Sequence, residues 1–305
     1  MNTNKSRGLA LIPKQYPGES SLGAFLEDSV LPDALERLED SQRLAVLWTI
    51  ALQNAFTEQK LASRIPGFRF ASVGLADPET ERDVFGVMVY TAPLKQREDI
   101  MSIDVAGIRF PVFVRPSIEE LHLSPELHPS DGTSTCWAIS RKPNVSKSLG
   151  FLTAKHVVEN LRPGDPVKTN LGEGRILDLA PASIDAALVE PPPGVKLQMK
   201  SPLESVRYIA QWTDVQFAGM GSRQPVKTKV TEVWFRDIYH PSLPAFVFLG
   251  WPGKPGDSGA LVVDASGKGI AMYLGGQINT ATSRMEGFCA HLDQAAHLLE
   301  CSLYR

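Results

Sequence analysis

The sequence predicts a mostly β protein preceded by a small α+β segment, and three observations carry that expectation. From about residue 127 onward, Gly, Pro and Asp recur every eight to fifteen residues between short runs rich in Val, Ile and aromatics. That is the pattern of a sandwich or barrel. No sustained helical periodicity interrupts it before residue 290. Upstream, a helical period gives way at Pro66-Gly67 to three short β-like runs.

The first ordered element expected is helical. Between residues 33 and 62, Leu35, Leu38, Val46, Ile50 and their neighbours fall mostly three or four apart, so one or two amphipathic helices are predicted. Pro66-Gly67 stops them. Residues 68–73, 84–90 and 108–114 are then read as strands separated by Pro, Gly and charged residues. Residues 1–115 form the α+β segment, expected to pack or dock, and residues 116–305 the β-rich region. At the far end, Leu292, Ala295, Ala296, Leu299 and Leu303 share one face and predict a terminal helix over 290–303.

Composition excludes several classes of function. The 305 residues carry 31 Lys and Arg against 34 Asp and Glu, a net charge of -3. No basic field exists to draw nucleic acid or an anionic membrane. No stretch approaches the roughly 18 apolar residues of a membrane span. The opening residues hold too few apolar side chains before Pro13 for a secretion signal, so a cytoplasmic location is expected. Three scattered cysteines, Cys136, Cys289 and Cys301, are expected to be reduced, and the Asn144-Val145-Ser146 acceptor to go unused. His122 and His128 lie near prolines with no Cys or His cluster at zinc spacing, so no metal is expected; no phosphate-cradling glycine motif implies a cofactor either.

Three short stretches carry the chemistry. Hydrolysis by a serine needs a hydroxyl, an imidazole to take its proton, and a carboxylate to fix the imidazole's tautomer. The hydroxyl is offered by Gly256-Asp257-Ser258-Gly259-Ala260, a Gly-rich loop just before an apolar strand. Such a loop can expose Ser258 and let the N–H groups of Gly256 and Ser258 converge as an oxyanion hole. The imidazole is His156, delivered at a small-residue turn by the apolar run Gly150-Phe151-Leu152-Thr153-Ala154-Lys155. The carboxylate is Asp185 in Ser183-Ile184-Asp185-Ala186-Ala187-Leu188, where an unpaired charge in an apolar run would be costly, so a partner is expected.

These stretches resemble the histidine, aspartate and serine motifs of trypsin-like serine peptidases, in the family's order, and the resemblance covers about residues 130–300. It implies two antiparallel six-stranded β-barrels with a C-terminal helix and a cleft between the barrels. His156 and Asp185 would come from the first barrel and Ser258 from the second. It further implies an endopeptidase acting on protein or peptide substrates through an acyl-enzyme, or else a catalytically silent binding protein of the same fold. The family's primary pocket maps onto Pro252, Met272, Tyr273, Leu274 and Gly275. Pro252 is not acidic, so cleavage after Lys or Arg is not expected; a small or apolar side chain, or an acidic one met by a histidine such as His291, fits as well.

The chain departs from the family's usual pattern in three places. Val157 stands where secreted relatives carry a cysteine, which favours an intracellular construction. The 29 residues from His156 to Asp185 are few, which leaves Asp178 and Asp165 as substitute acids. No Ile-Val-Gly-Gly sequence precedes the protease region, so control by cleavage to a new terminus is not implied. The leading segment loosely resembles extensions of some intracellular bacterial relatives, and a regulatory partner is expected to act through it. An α/β-hydrolase would need Gly-x-Ser-x-Gly and the order Ser, Asp, His; Ala260 and the motif order argue against it.

Overall fold

The helix expected first is α1 (Asp40–Glu58). Val46, Leu47, Trp48, Ala51, Leu52, Ala55 and Phe56 all lie on its buried side, and Asp40 in the first turn suits the helix dipole. Lys60 in the left-handed region turns the chain into a short 3-10 segment, Leu61–Arg64. The computed structural model describes residues 40–75, 85–92, 101–121, 132–142, 149–181, 184–195, 201–211, 213–233, 246–250, 252–279 and 284–305. Residues 33–39 of the expected helical stretch, Val84, His122, His128 and residues 144–146 lie outside these.

Four strands follow: β1 (Phe68–Leu75), β2 (Phe85–Thr91), β3 (Met101–Val105) and β4 (Ile108–Leu121). They account for the three predicted runs, with β3 added, and β4 runs seven residues past the expected end. β2 is buried on both faces. Phe85, Val87 and Val89 join α1 in one core cluster, whereas Met88 and Tyr90 belong to a second cluster with Met272, Leu274 and Phe288. Alternation along a strand thus directs one face toward the helix and the other toward the region that carries the serine loop.

The β-rich region is two barrels. The first contains β5 (Trp137–Ser140), β6 (Leu149–Thr153), β7 (Pro166–Thr169), β8 (Gly172–Leu179) and β9 (Ala187–Glu190). The second contains β10 (Asp214–Phe217), β11 (Val226–Val233), β12 (Phe246–Leu249), β13 (Leu261–Asp264), β14 (Gly269–Asn279) and β15 (Arg284–His291). In the second, the order β10-β13-β14-β15-β12-β11 is closed by a β10–β11 pairing, so six strands form a ring. Closure removes the free edges that an open sheet would expose.

The terminal segment divides where one helix was expected. α2 (Leu292–Leu298) is followed by β16 (Cys301–Tyr304), which pairs with β5 and gives the first barrel its sixth strand, in the order β16-β5-β6-β9-β8-β7. Cys301 and Leu303 point inward while Ser302 and Tyr304 are half-buried, a period of two that the apolar count over 290–303 hides.

The leading strands are joined to the second barrel by backbone pairing. β1 pairs with β11 (Val73 opposite Val233) and β4 with β14 (Gly275 opposite Leu121), giving one ten-stranded sheet. β4 crosses the 115/116 division between the two segments. A buried polar cluster sits at the junction. Glu232 of β11 accepts from Arg115 at 2.8 Å, from Tyr90 at 2.7 Å and from the Ser72 hydroxyl. Burial first, then the Glu232 and Glu286 carboxylates, push the Tyr90 phenol well above its ordinary pKa, so it stays a donor.

Candidate active site

The site forms where the barrels meet, and each of its side chains is set by a short local device. β6 ends at Thr153, Ala154 is extended, and a 3-10 turn over Lys155–Val158 presents His156. Val157 and Val158 are buried and anchor that turn. Asp185 precedes β9 between the buried Ile184 and Ala186, so its backbone is fixed on both sides. Ser258 lies between Gly256 and Gly259, both in the left-handed region at φ 93 and 92. A side chain at Gly259 would come within 1.9 Å of the Thr133 carbonyl oxygen, so that residue must be glycine.

The three predicted side chains are brought together. His156 Nδ1 is 2.5 Å from Asp185 Oδ2, and Asp185 Oδ1 accepts the His156 backbone N–H at 2.9 Å. This double contact fixes both the ring and the turn that carries it. On the other side of the ring, Nε2 is 2.8 Å from Ser258 Oγ. Ser258 Oγ also lies 2.7 Å from the Leu274 carbonyl oxygen, so a single hydroxyl proton has two acceptors within reach. Exposure is small: 7% for His156 and 1% for Ser258. The substitute acids are occupied elsewhere, Asp178 with Lys142 at 2.5 Å and Asp165 with the Arg162 N–H at 2.8 Å.

The serine loop is held by residues outside the expected set. Thr133 donates its N–H to Ser258 O at 2.7 Å, and its hydroxyl donates to Gly256 O at 2.9 Å and accepts the Met220 N–H at 2.8 Å. Asp257 is fully buried and takes hydrogen bonds from Ser222 and Lys254. Gly256 is buried, and its N–H has no hydrogen-bond partner among the described residues. A buried amide without a protein partner is suited to an incoming oxygen atom. Thr133, Ser222 and Lys254 carry no sequence signal of their own; each is a polar residue in a loop, tied to the site only by the fold.

The five residues assigned to a substrate pocket behave differently from one another. Pro252 is half-buried. Met272, Tyr273 and Leu274 are at most 1% exposed, and their side chains fill core clusters. Tyr273 stacks on Phe217 at 4.8 Å and accepts the Gly253 N–H at 2.7 Å. Of these residues, Leu274 touches Ser258, through its carbonyl. The His291 ring is buried, and its Nδ1 caps α2 by accepting the Gln294 N–H.

Comparison with known proteins adds the following. No protein-family model matches the chain, and no curated protein matches it. Among solved structures it is similar to the Nocardiopsis protease NAPase, at 16% identity and a TM-score of 0.42, over 57% of this chain and 97% of that one. Cellulomonas bogoriensis chymotrypsin is similar at 16% identity and a TM-score of 0.40, over 56% and 97%. Thermobifida fusca protease A is similar at 13% identity and a TM-score of 0.43, over 56% and 90%. Each of these matches lies over little more than half of this chain.

The remaining expectations concern thiols, metals and membranes. All three cysteines are free thiols. Burial pushes the Cys301 thiol up to about 12 and raises those of Cys136 and Cys289 as well, so none is a ready nucleophile. Among the described residues no group of three His, Cys, Asp or Glu side chains is placed to hold a metal ion. No helix among them is long and apolar enough to cross a membrane.

Proposed function

We propose that this chain is a trypsin-like serine endopeptidase in which Ser258 is the nucleophile, His156 the general base and acid, and Asp185 the group that orients the imidazole. The observation that carries the reading is the continuous line Asp185 Oδ2, His156 Nδ1, His156 Nε2, Ser258 Oγ, with contacts of 2.5 and 2.8 Å. An acid on Nδ1 holds that nitrogen protonated and leaves the Nε2 lone pair facing the hydroxyl, which is the tautomer a base must have.

The reaction follows from that arrangement. Ser258 Oγ bonds to the peptide carbonyl carbon while its proton passes to His156 Nε2. The carbonyl π electrons move to oxygen, where the N–H groups of Gly256 and Ser258 receive them. One such donor contributes about 2.7–4 kcal/mol to transition-state stabilisation. The C–N bond then breaks, the amine leaves with the Nε2 proton, and an ester to Ser258 remains. Water, deprotonated by the same nitrogen, releases the acid and restores the hydroxyl.

A fluorophosphonate ester tests this directly. Ser258 is expected to be phosphonylated and Ser258→Ala to be unlabelled, with turnover of peptides falling by about 10⁴–10⁶. Absence of labelling in the native chain would leave a silent protein of the same architecture.

A further inference from the structure

Peptides commonly bind proteins as an added strand on a sheet edge, and for hydrolysis that edge must lie beside the nucleophile. Here the strand beside the nucleophile is β14, because the carbonyl of Leu274 accepts from Ser258 Oγ. One side of β14 is paired with β15 along its length, from Ala271 opposite His291 to Asn279 opposite Arg284. The other side is engaged by β13 as far as Met272, and by Gly259 and Ala260 at Tyr273. Beyond Leu274 that side is, among the described residues, the edge on which an extended peptide could lie against Ser258.

β4 already lies there. Leu121 pairs with Gly275, Glu120 with Gly276, Glu119 with Gln277, Ile118 with Ile278 and Ser117 with Asn279, antiparallel. Since β15 holds the opposite side of the same residues, β4 must occupy the side facing the serine loop. The strand is anchored upstream by its pairings with β2 and β3 and by the Arg115–Glu232 ion pair. Ser258 has 1% of its surface exposed.

We propose that β4 residues 117–121 form an autoinhibitory strand that fills the substrate-binding edge of β14, so that an extended peptide is cleaved only when this stretch withdraws. The proposal rests on the endopeptidase reading and names how that site is controlled. Control would thereby come from the part of β4 that continues beyond the leading segment. If the edge is free in one molecule in ten, the apparent affinity for an extended substrate falls about tenfold, whereas a ligand that touches only Ser258 and the amides is affected less.

The test compares the unaltered chain with the double variant Ile118→Pro, Glu119→Pro. Consecutive N–H groups of a strand point to opposite sides, so one of the two prolines removes a donor to β14. Both chains are reacted with a small fluorophosphonate and with a library of fluorogenic tetrapeptide amides. The expected result is labelling of Ser258 in both, with tetrapeptide kcat/KM at least about tenfold higher in the variant. Labelling of both with equal tetrapeptide kcat/KM overturns the autoinhibitory strand and leaves the hydrolase intact. Labelling of neither overturns both. Should the proline variant fail to fold, Glu119→Cys with Gln277→Cys replaces it, since these residues are directly paired. Oxidation is then expected to lower tetrapeptide hydrolysis reversibly, and equal rates before and after reduction overturn the proposal.

Discussion

Asp257 Oδ1 accepts the Ser222 backbone N–H at 2.8 Å, while Oδ2 takes the Ser222 hydroxyl and the Lys254 N–H. This buried carboxylate, one residue before Ser258, is thus solvated by two amides and a hydroxyl, with no ion pair among the described residues. Hydrogen bonds to a charged group contribute about 1.5–3 kcal/mol each. Ser222→Ala is therefore expected to loosen the loop that carries the Gly256 and Ser258 amides. Steady-state kinetics should show kcat reduced about tenfold or more with KM nearly unchanged, and Ser222→Thr should recover most of the loss. An unaltered kcat would show that Ser222 does not position the loop.

The choice among three aspartates is decided by kinetics as well. Asp185→Asn keeps the hydrogen bonds but favours the wrong imidazole tautomer, and kcat is expected to fall about 10⁴-fold. Asp178→Asn and Asp165→Asn, whose carboxylates bind Lys142 and the Arg162 N–H, should stay within about twofold. A larger effect at Asp178 than at Asp185 would reverse the assignment.

Arg115 and Glu232, 7% and 2% exposed in their side chains, bridge β4 and β11. Removing one partner strands a buried charge, so Arg115→Met should destabilise the fold by about 3–5 kcal/mol in urea unfolding. Adding Glu232→Leu should restore most of that loss, although the Ser72 and Tyr90 hydroxyls then lack their acceptor. Because this pair and the core cluster around α1 extend into the second barrel, unfolding should be a single transition. For the same reason, deleting residues 1–115 should yield insoluble chain; a stable, fully active remainder would refute this coupling.

His291 predicts an acid-side loss of stability. Burial first, opposed by Asp293 and the Arg207 carbonyl and assisted by the Arg207 charge, holds its pKa below the ordinary 6.5. Between the folded and unfolded values the unfolded chain binds more protons, so stability falls as pH drops below about 6.5. Protonation of Nδ1 would also convert the acceptor that caps α2 into a donor. His291→Asn, an uncharged cap, should flatten the urea midpoint between pH 7 and pH 5 relative to the native chain. Parallel pH dependence in both would rule out His291 as the source.

The helix and most strands were legible because period and breakers are local. The line from Asp185 to Ser258 was legible for a different reason: three stretches resemble the trypsin-like motifs in order, and a carboxylate in an apolar run demands a partner, for which His156 is suitable. The same argument applies to Arg115 within Phe113-Val114-Arg115 and to Glu232 within Val230-Thr231-Glu232-Val233, and it pairs them. Other features were hidden by non-local pairing. Pro116 follows the run read as a strand over 108–114, yet β4 continues past it because β14 supplies new backbone partners. Met272, Tyr273 and Leu274 look like pocket walls by position, but only backbone direction decides that their side chains serve the core. Thr133 and Ser222 reach the serine loop across sequence distances that no periodicity records.

The pairing of β16 with β5 also bears on how the molecule is made. Cys301 meets Ser140 across roughly 160 residues, and the stretch between them contains Ser258. At a ribosomal speed of about 5–20 residues per second, the first barrel waits on the order of ten to thirty seconds for its sixth strand. His156 and Ser258 are therefore both synthesised before that sheet has its sixth strand. The sheet that holds β6, and with it the turn bearing His156, is completed only when residues 301–304 have been made.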